Sequence, residues 1–395
     1  MTQKEMRYDY LSPRKIAFGW GRRSEAGALG KTLGRRVFLI RGMPDAIAGP
    51  VIDELRASMK AADVDIALVH ELHNEPEVDD VDRLAELLRK NGAGEGDFLL
   101  GIGGGAIIDL AKAASAMATN RESETVKDYL ENVGRDLHVI NPPLPVMAMP
   151  TTAGAGTEAT KNAVISSYDP PFKKSLRNEQ LVPRIALVDP ELTVTTPPEV
   201  TAASGMDAIT QLIESYISLK AQPIPQALAI SGLKMAVPAI AEAVADGSSR
   251  SARERMSHAS MLSGMCLANA GLGFAHGVAP ALGIHCRVRH GVACALMLPT
   301  ALKVNADACR SELAMLSHAV FGRSRTTTAK DSVKTFIREI ENLCDKVGTP
   351  RKLSQVGVKA EQLPAIVGSS RGSSMSGNPV QVSDEELMKL LEKIL

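Results

Sequence analysis

The chain has 395 residues, 45 Lys+Arg against 45 Asp+Glu, and 45% hydrophobic residues. The length predicts two domains, and the composition excludes a disordered or fibrous chain. Charge balance argues against a broad basic face for nucleic acid, and 3% aromatics against a stacking platform for single strands.

Residues 1–15 are polar and lack a signal-peptide core. RVFLIRG (Arg36–Gly42) predicts a strand ending in glycine, Ile52–Met59 a helix, and DIALVHEL (Asp65–Leu72) a second strand. Val81–Leu88 has the charged, amphipathic pattern of a surface helix. DFLLGIGGG (Asp97–Gly105) is a third strand running into glycines, followed by a helix in AIIDLAKAASAMAT. LPVMAMPTTAG (Leu144–Gly154) repeats strand and glycine turn, and RIALVDPEL (Arg184–Leu192) adds another strand. This alternation indicates an α/β unit with a largely parallel sheet.

From about Thr196 the pattern becomes helical. Helices are expected in PPEVTAASGMDAITQLIESYIS, Pro225–Asp246, Ala252–Ala270, Thr300–Phe321 and Thr328–Val347. A last helix is expected in VSDEELMKLLEKIL, with Ser383 as N-cap. Ser369–Asn378 reads as a flexible loop. No unbroken apolar run reaches about 18 residues, so no membrane span is expected. The organisation is an α/β domain over 1–193 and an all-helical domain over 194–395, with the boundary between Asp189 and Pro198.

Two loops carry cofactor chemistry. In GIGGGAIIDLAK (Gly101–Lys112), small residues after a strand let backbone N–H groups approach a phosphate at a helix N-terminus. The spacing is neither GxGxxG nor GxxxxGKS/T, so this is not the usual Rossmann fingerprint or a P-loop. PTTAGAGTEATKNAVI (Pro150–Ile165) sets Thr151, Thr152 and Thr157 beside Gly154 and Gly156, which suits a phosphate or ribose. Two such loops after parallel strands point to a crevice at the strand C-termini. Arg41 and Gly42 end the first strand where an acid often meets the ribose of NAD. Arg41 suits the 2′-phosphate of NADP instead.

In the helical part, Asp207, His276 and His290 make a candidate set for Zn(II) or Fe(II). Gln211, one turn after Asp207, can point at the same ion. His285 can line the same cavity, and the other histidines read as structural. The five cysteines form no CxxC pair, which fits a reducing, cytoplasmic setting. They read as buried packing residues, Cys294 included.

KIAFGWGRRSEAG, GGGAIIDLAK, PTTAGAGTEAT, LVPRIALVDPEL, GMDAITQLIE, the His276–His290 segment and GNPVQVSDEEL occur in this order. Together they resemble the iron-containing, group III alcohol dehydrogenase family over nearly the whole chain. The resemblance implies a dehydroquinate synthase-like fold, with an α/β nucleotide-binding domain, an all-helical metal domain and an active site in the cleft between them. It implies interconversion of a small-molecule alcohol and an aldehyde or ketone. The cofactors would be NAD or NADP with a divalent metal, Fe(II) or Zn(II), in a homodimer or larger homo-oligomer. It places Gly104, Gly105, Ala106 and Asp109 in the dinucleotide motif. Thr151, Thr152, Gly156 and Thr157 fall in the second cofactor loop, and Lys173 near the cofactor. Asp207, His276 and His290 match three metal ligands.

Three positions depart from the pattern. Gln211 stands where the family commonly has histidine. Pro280 replaces a histidine common near substrate, and Gly42 replaces an acid. These departures keep two alternatives open: a metal-independent NAD(P)H reductase of an activated ketone or oxoacid, and an inactive nucleotide-binding or structural protein. Sugar-phosphate cyclases share this fold, but the motifs fit the alcohol dehydrogenases better.

Overall fold

The structure is a computed structural model that describes residues 7–43, 45–322 and 328–395. Eight strands are present among them: β1 (Lys15–Phe18), β2 (Arg36–Arg41), β3 (Asp65–Glu71), β4 (Asp97–Gly103), β5 (Val146–Pro150), β6 (Asn162–Tyr168), β7 (Pro171–Arg177) and β8 (Ile185–Val188). The first four helices are α1 (Ala26–Gly30), α2 (Asp45–Ala61), α3 (Val78–Lys90) and α4 (Gly105–Thr119). The next five are α5 (Pro198–Ile217), α6 (Pro223–Ala245), α7 (Arg250–Ala270), α8 (Phe274–Cys286) and α9 (His290–Asn305). The last four are α10 (Arg310–Phe321), α11 (Ala329–Lys346), α12 (Leu363–Ser369) and α13 (Asp384–Lys393).

Six strands form one parallel sheet in the order β1-β8-β5-β4-β2-β3. Successive side chains of a strand point to opposite faces, and the two faces are covered separately. Phe38 and Ile40 of β2 pack with Leu84 and Leu88 of α3 and Leu110 of α4. Val37 and Leu39 pack with Ile52, Leu55 and Met59 of α2. From β2 the chain moves out to edge strand β3, crosses back to β4, then continues through β5. The direction of strand addition therefore reverses beside β2 and β4, the kind of point where a crevice opens at the strand C-termini. The glycines ending β4 sit at that crevice.

From Pro198 onward the described elements are all helical. α5 is buried along most of its length and packs against α6, α7 and α9. α6 is long and apolar enough to cross a membrane by length and composition. Here it is a core helix, with Ala229, Leu233, Ala236, Ala239 and Ile240 buried.

Several elements differ from the sequence expectation. β1 and the antiparallel β6–β7 hairpin were not expected. Thr300–Phe321 is not one helix. α9 starts back at His290 and ends at Asn305, and a turn leads to α10 at Arg310. α8 was not expected because Gly277, Pro280 and Gly283 interrupt any periodic signal. Ser369–Asn378 is anchored at points: Ser370, Met375 and Asn378 are buried, while Arg371, Gly372, Ser373 and Ser376 are exposed. The Asn378 side chain accepts from the Phe274 N–H (3.1 Å) at the start of α8.

Candidate active site

A cleft of about 930 Å³ lies between the ends of the parallel strands and the helices. Its α/β wall holds Gly105, Ala106, Asp109, Thr152, Thr157 and Lys173, and its helical wall Asp207, Gln211, His276, Pro280 and His290. α4 begins at Gly105, so its first backbone N–H groups face this space with the positive end of the helix dipole. A Cβ on Gly105 would stand 3.1 Å from both Ala155 and Thr157, so the two glycine loops close on each other at this point. That is the cradle a pyrophosphate needs.

A buried polar network holds the cradle. Asp109 accepts from the Val164 N–H (3.1 Å), and Lys112 donates to the Thr157 carbonyl (3.2 Å) and the Thr160 hydroxyl (2.9 Å). Burial raises the Asp109 carboxyl and lowers the Lys112 ammonium, and their mutual attraction across 3.8 Å opposes both shifts. The hairpin brings in Lys173, whose ammonium pairs with Glu75 at 2.6 Å.

The helical wall is built from three helices. Asp207, Gln211 and Glu214 lie on one stripe of α5, at spacings of four and three residues. His276 is in the first turn of α8, and His290 opens α9. Glu214 accepts from the backbone N–H groups of Gly273 (3.1 Å), Ala275 (2.6 Å) and His276 (3.4 Å), which caps α8. The same carboxylate lies 2.7 Å from His276 Nδ1. That partner holds the proton on Nδ1 and turns the Nε2 lone pair toward Asp207, 3.0 Å away. Two electron-rich groups then face each other in a buried site. A cation between them, or a proton, is needed to make the arrangement favourable.

His290 Nε2 stands 3.9 Å from the same Asp207 oxygen, and Cys294 Sγ lies 3.4 Å from His276 Nε2. The donor atoms of Asp207, His276, His290 and Cys294 all fall within 4.8 Å of one another. These residues fit a divalent metal ion. Burial by itself opposes charge on Asp207, but His276 and His290 outweigh it and hold the carboxyl below the usual carboxylate range. Burial also lowers His276, yet Cys294, Asp207 and Glu214 together raise it well above the ordinary imidazole value. Burial pushes His290 down to about 4, which keeps its ring neutral.

The remaining sequence-predicted residues fall elsewhere. Gln211 is not turned into the donor set: its Oε1 accepts from the Ser263 hydroxyl at 3.0 Å. Arg41 is held by Glu71 at the end of β3 and by the Met43 carbonyl (3.3 Å), not by the cleft. Gly42 sits against Ile107. Gly104 is the N-cap of α4, and Thr151 lies behind the cleft wall, its carbonyl accepting from Thr196 (3.1 Å). Gly156 has φ +62°, and its backbone touches Gly264 of α7 so closely that a Cβ would come within 2.5 Å. Its smallness serves the seating of the second loop on the helical region. Sequence reasoning missed Glu214, Glu75 and the place of Cys294. Glu214 was detectable as the third member of the α5 stripe, and Cys294 as one turn after His290. Glu75 lies outside any element and left no such signal.

Residues 13–190 match the family model described as iron-containing alcohol dehydrogenase. Residues 201–395 match that described as Fe-containing alcohol dehydrogenase family, C-terminal. Long-chain-alcohol dehydrogenase 1 of Geobacillus thermodenitrificans (strain NG80-2) is 30% identical over 349 residues, 88% of this chain and 86% of that protein. Among solved structures, a 1,3-propanediol oxidoreductase superposes with TM-score 0.91 at 27% identity, covering 99% of this chain and 100% of the other. The sulfoacetaldehyde reductase of Bifidobacterium kashiwanohense, in complex with NAD+, superposes with TM-score 0.85 at 28% identity over 98% of this chain and 99% of the other. The fold, the cleft and these likenesses agree: the chain belongs to the iron-containing alcohol dehydrogenase family.

Proposed function

We propose that this protein is an NAD-dependent, metal-requiring dehydrogenase that interconverts an alcohol and an aldehyde or ketone. The observation that carries the reading is the cleft itself, with a phosphate cradle on one wall and a carboxylate–imidazole cluster on the other. When bound, the nicotinamide accepts or returns hydride, and a divalent ion supplies Lewis acidity toward the substrate oxygen.

The chain's own residues set up that chemistry. Gly105 and Ala106, at the start of α4, offer N–H groups to the pyrophosphate. Asp109 and Lys112 fix the second loop so that Thr152 and Thr157 stay at the cleft wall. Lys173 and Glu75 bring an ion pair to the cleft, with the ammonium as a hydrogen-bond donor there. Asp207, His276 and His290 would hold the ion, and Glu214 keeps His276 in the ligand tautomer. Pro280 lines the cleft but has no side-chain group to relay a proton.

Two observations support NAD over NADP: Arg41 is engaged by Glu71, and the sulfoacetaldehyde reductase neighbour holds NAD+. The five free cysteines support a cytoplasmic setting, and a homodimer or larger homo-oligomer is the assembly we propose from the family resemblance alone.

The test is a panel of alcohols, diols, hydroxy acids and their carbonyl counterparts with NAD(H) and NADP(H), on protein of measured metal content. Turnover with NAD(H), followed by nicotinamide absorbance, is expected. Metal-loaded protein that turns over none of them overturns the reading.

A further inference from the structure

Cys294 has no part in the chemistry just described, yet it stands inside the donor cluster. It is one helical turn after His290 on α9, so both project from the same face. Its side chain is fully buried and lies outside the cleft wall, on the protein side of the cluster. Its Sγ is 3.4 Å from His276 Nε2 and 3.7 Å from His290 Nε2. Asp207 Oδ1 is 3.0 and 3.9 Å from the same two nitrogens.

A four-coordinate ion with bonds of about 2.0–2.3 Å holds neighbouring N, O and S donors roughly 3.3–3.7 Å apart. The observed separations bracket that range. Gln211, the other candidate for a fourth donor, has its amide oxygen turned to Ser263.

We propose that Cys294, as a thiolate, is the fourth protein ligand beside Asp207, His276 and His290, giving an N₂OS site. The inference rests on the metal reading above. As the sulfur–metal bond forms, the thiol proton leaves to solvent and nothing is oxidised or reduced. One thiolate and one carboxylate then balance the two charges of the ion. Because Cys294 closes the cluster from the buried side, a substrate oxygen would add as a fifth ligand from the cleft side. A thiolate also shifts the site toward borderline-soft ions such as Zn(II) and away from harder ones.

The experiment is an anaerobic titration of the metal-free full-length protein with Co(II), read by absorbance. Wild type is expected to show visible d–d bands together with a near-ultraviolet thiolate-to-cobalt charge-transfer band, saturating at one equivalent. Cys294→Ser should lose the charge-transfer band, keep d–d bands, and bind Co(II) at least about tenfold more weakly. Gln211→Leu should keep the charge-transfer band. Co(II) bound to wild type with d–d bands but no thiolate band overturns the inference while leaving the metal reading intact. So does a Cys294→Ser variant with the wild-type spectrum. Failure of wild type to bind Co(II) at all overturns both. The wild-type spectrum decides the matter even if the variant does not fold.

Discussion

The α/β region and the helical region bring different kinds of atoms to the cleft. On the α/β side the working groups are largely backbone N–H groups at strand ends, and what matters is how close the chain can approach. On the helical side they are charged and imidazole side chains from α5, α8 and α9, and what matters is which partners surround each one. A site made of backbone tolerates changes in side-chain chemistry but not in size. A site made of side chains tolerates neither removal nor neutralisation of a buried member.

Asp207→Ala should give the largest effect. It removes the carboxylate that faces both imidazoles, so metal content by elemental analysis should fall to background. Turnover should fall by at least about 10²–10³-fold, the equivalent of several kcal/mol of Lewis-acid stabilisation. NADH affinity, measured by fluorescence, should stay near wild type if the two regions act separately. Glu214→Gln is nearly isosteric but sets an amide NH2 against one of the N–H donors that Glu214 accepts from, so it weakens the α8 cap together with control of the His276 tautomer. Metal affinity should drop about 10–100-fold in a competition titration with a chelator. Gly105→Val is the converse. The added atoms crowd Ala155 and Thr157 at an estimated cost of about 1–3 kcal/mol, so NADH should bind roughly tenfold more weakly while metal content is unchanged.

A pH series sharpens the same contrast. In metal-free protein His276 is held protonated above its ordinary value of about 6.5 by Cys294, Asp207 and Glu214. A raised folded pKa contributes stability that is complete below the unfolded value and is lost as pH rises through the folded one. His290 titrates below this window, near 4 when folded, so above pH of about 6.5 it is neutral in both states. The metal-free protein should therefore lose Tm as pH rises above neutrality. The metal-loaded protein should lose less, because the ion takes the place of the proton. Scanning calorimetry across this range reads the difference. The smallest effect is expected from Arg41→Ala. Its partner is Glu71 and it does not line the cleft, so KM for NAD+ should change by less than about threefold.

The same contrast explains what the sequence disclosed. Strands such as Arg36–Arg41 and Asp97–Gly103 are short apolar stretches that run into glycine, and their type was readable. The β6–β7 hairpin was not, because its strands mix polar and apolar residues without strict alternation and the turn is the short Asp169–Pro170. Asp207, His276 and His290 were readable as residue types that bind metals. The helix α8 and the start of α9, which carry the two histidines, were not, because α8 and α9 are apolar on nearly every side and contain Pro280 and Pro299. Such buried helices lack the periodicity that reveals an amphipathic one. Gly156 has a second reason to be glycine that the sequence did not disclose. Its position in a glycine-rich loop suggested a ligand, and its backbone also meets Gly264 of α7.

The most direct test of the division between the two walls uses one protein sample in two states. NADH binding by fluorescence and alcohol oxidation by absorbance are measured on metal-free protein and again after reloading with a divalent ion. The expected result is the same NADH affinity in both states, with turnover only in the reloaded one. Full turnover by protein verified as metal-free would contradict the account.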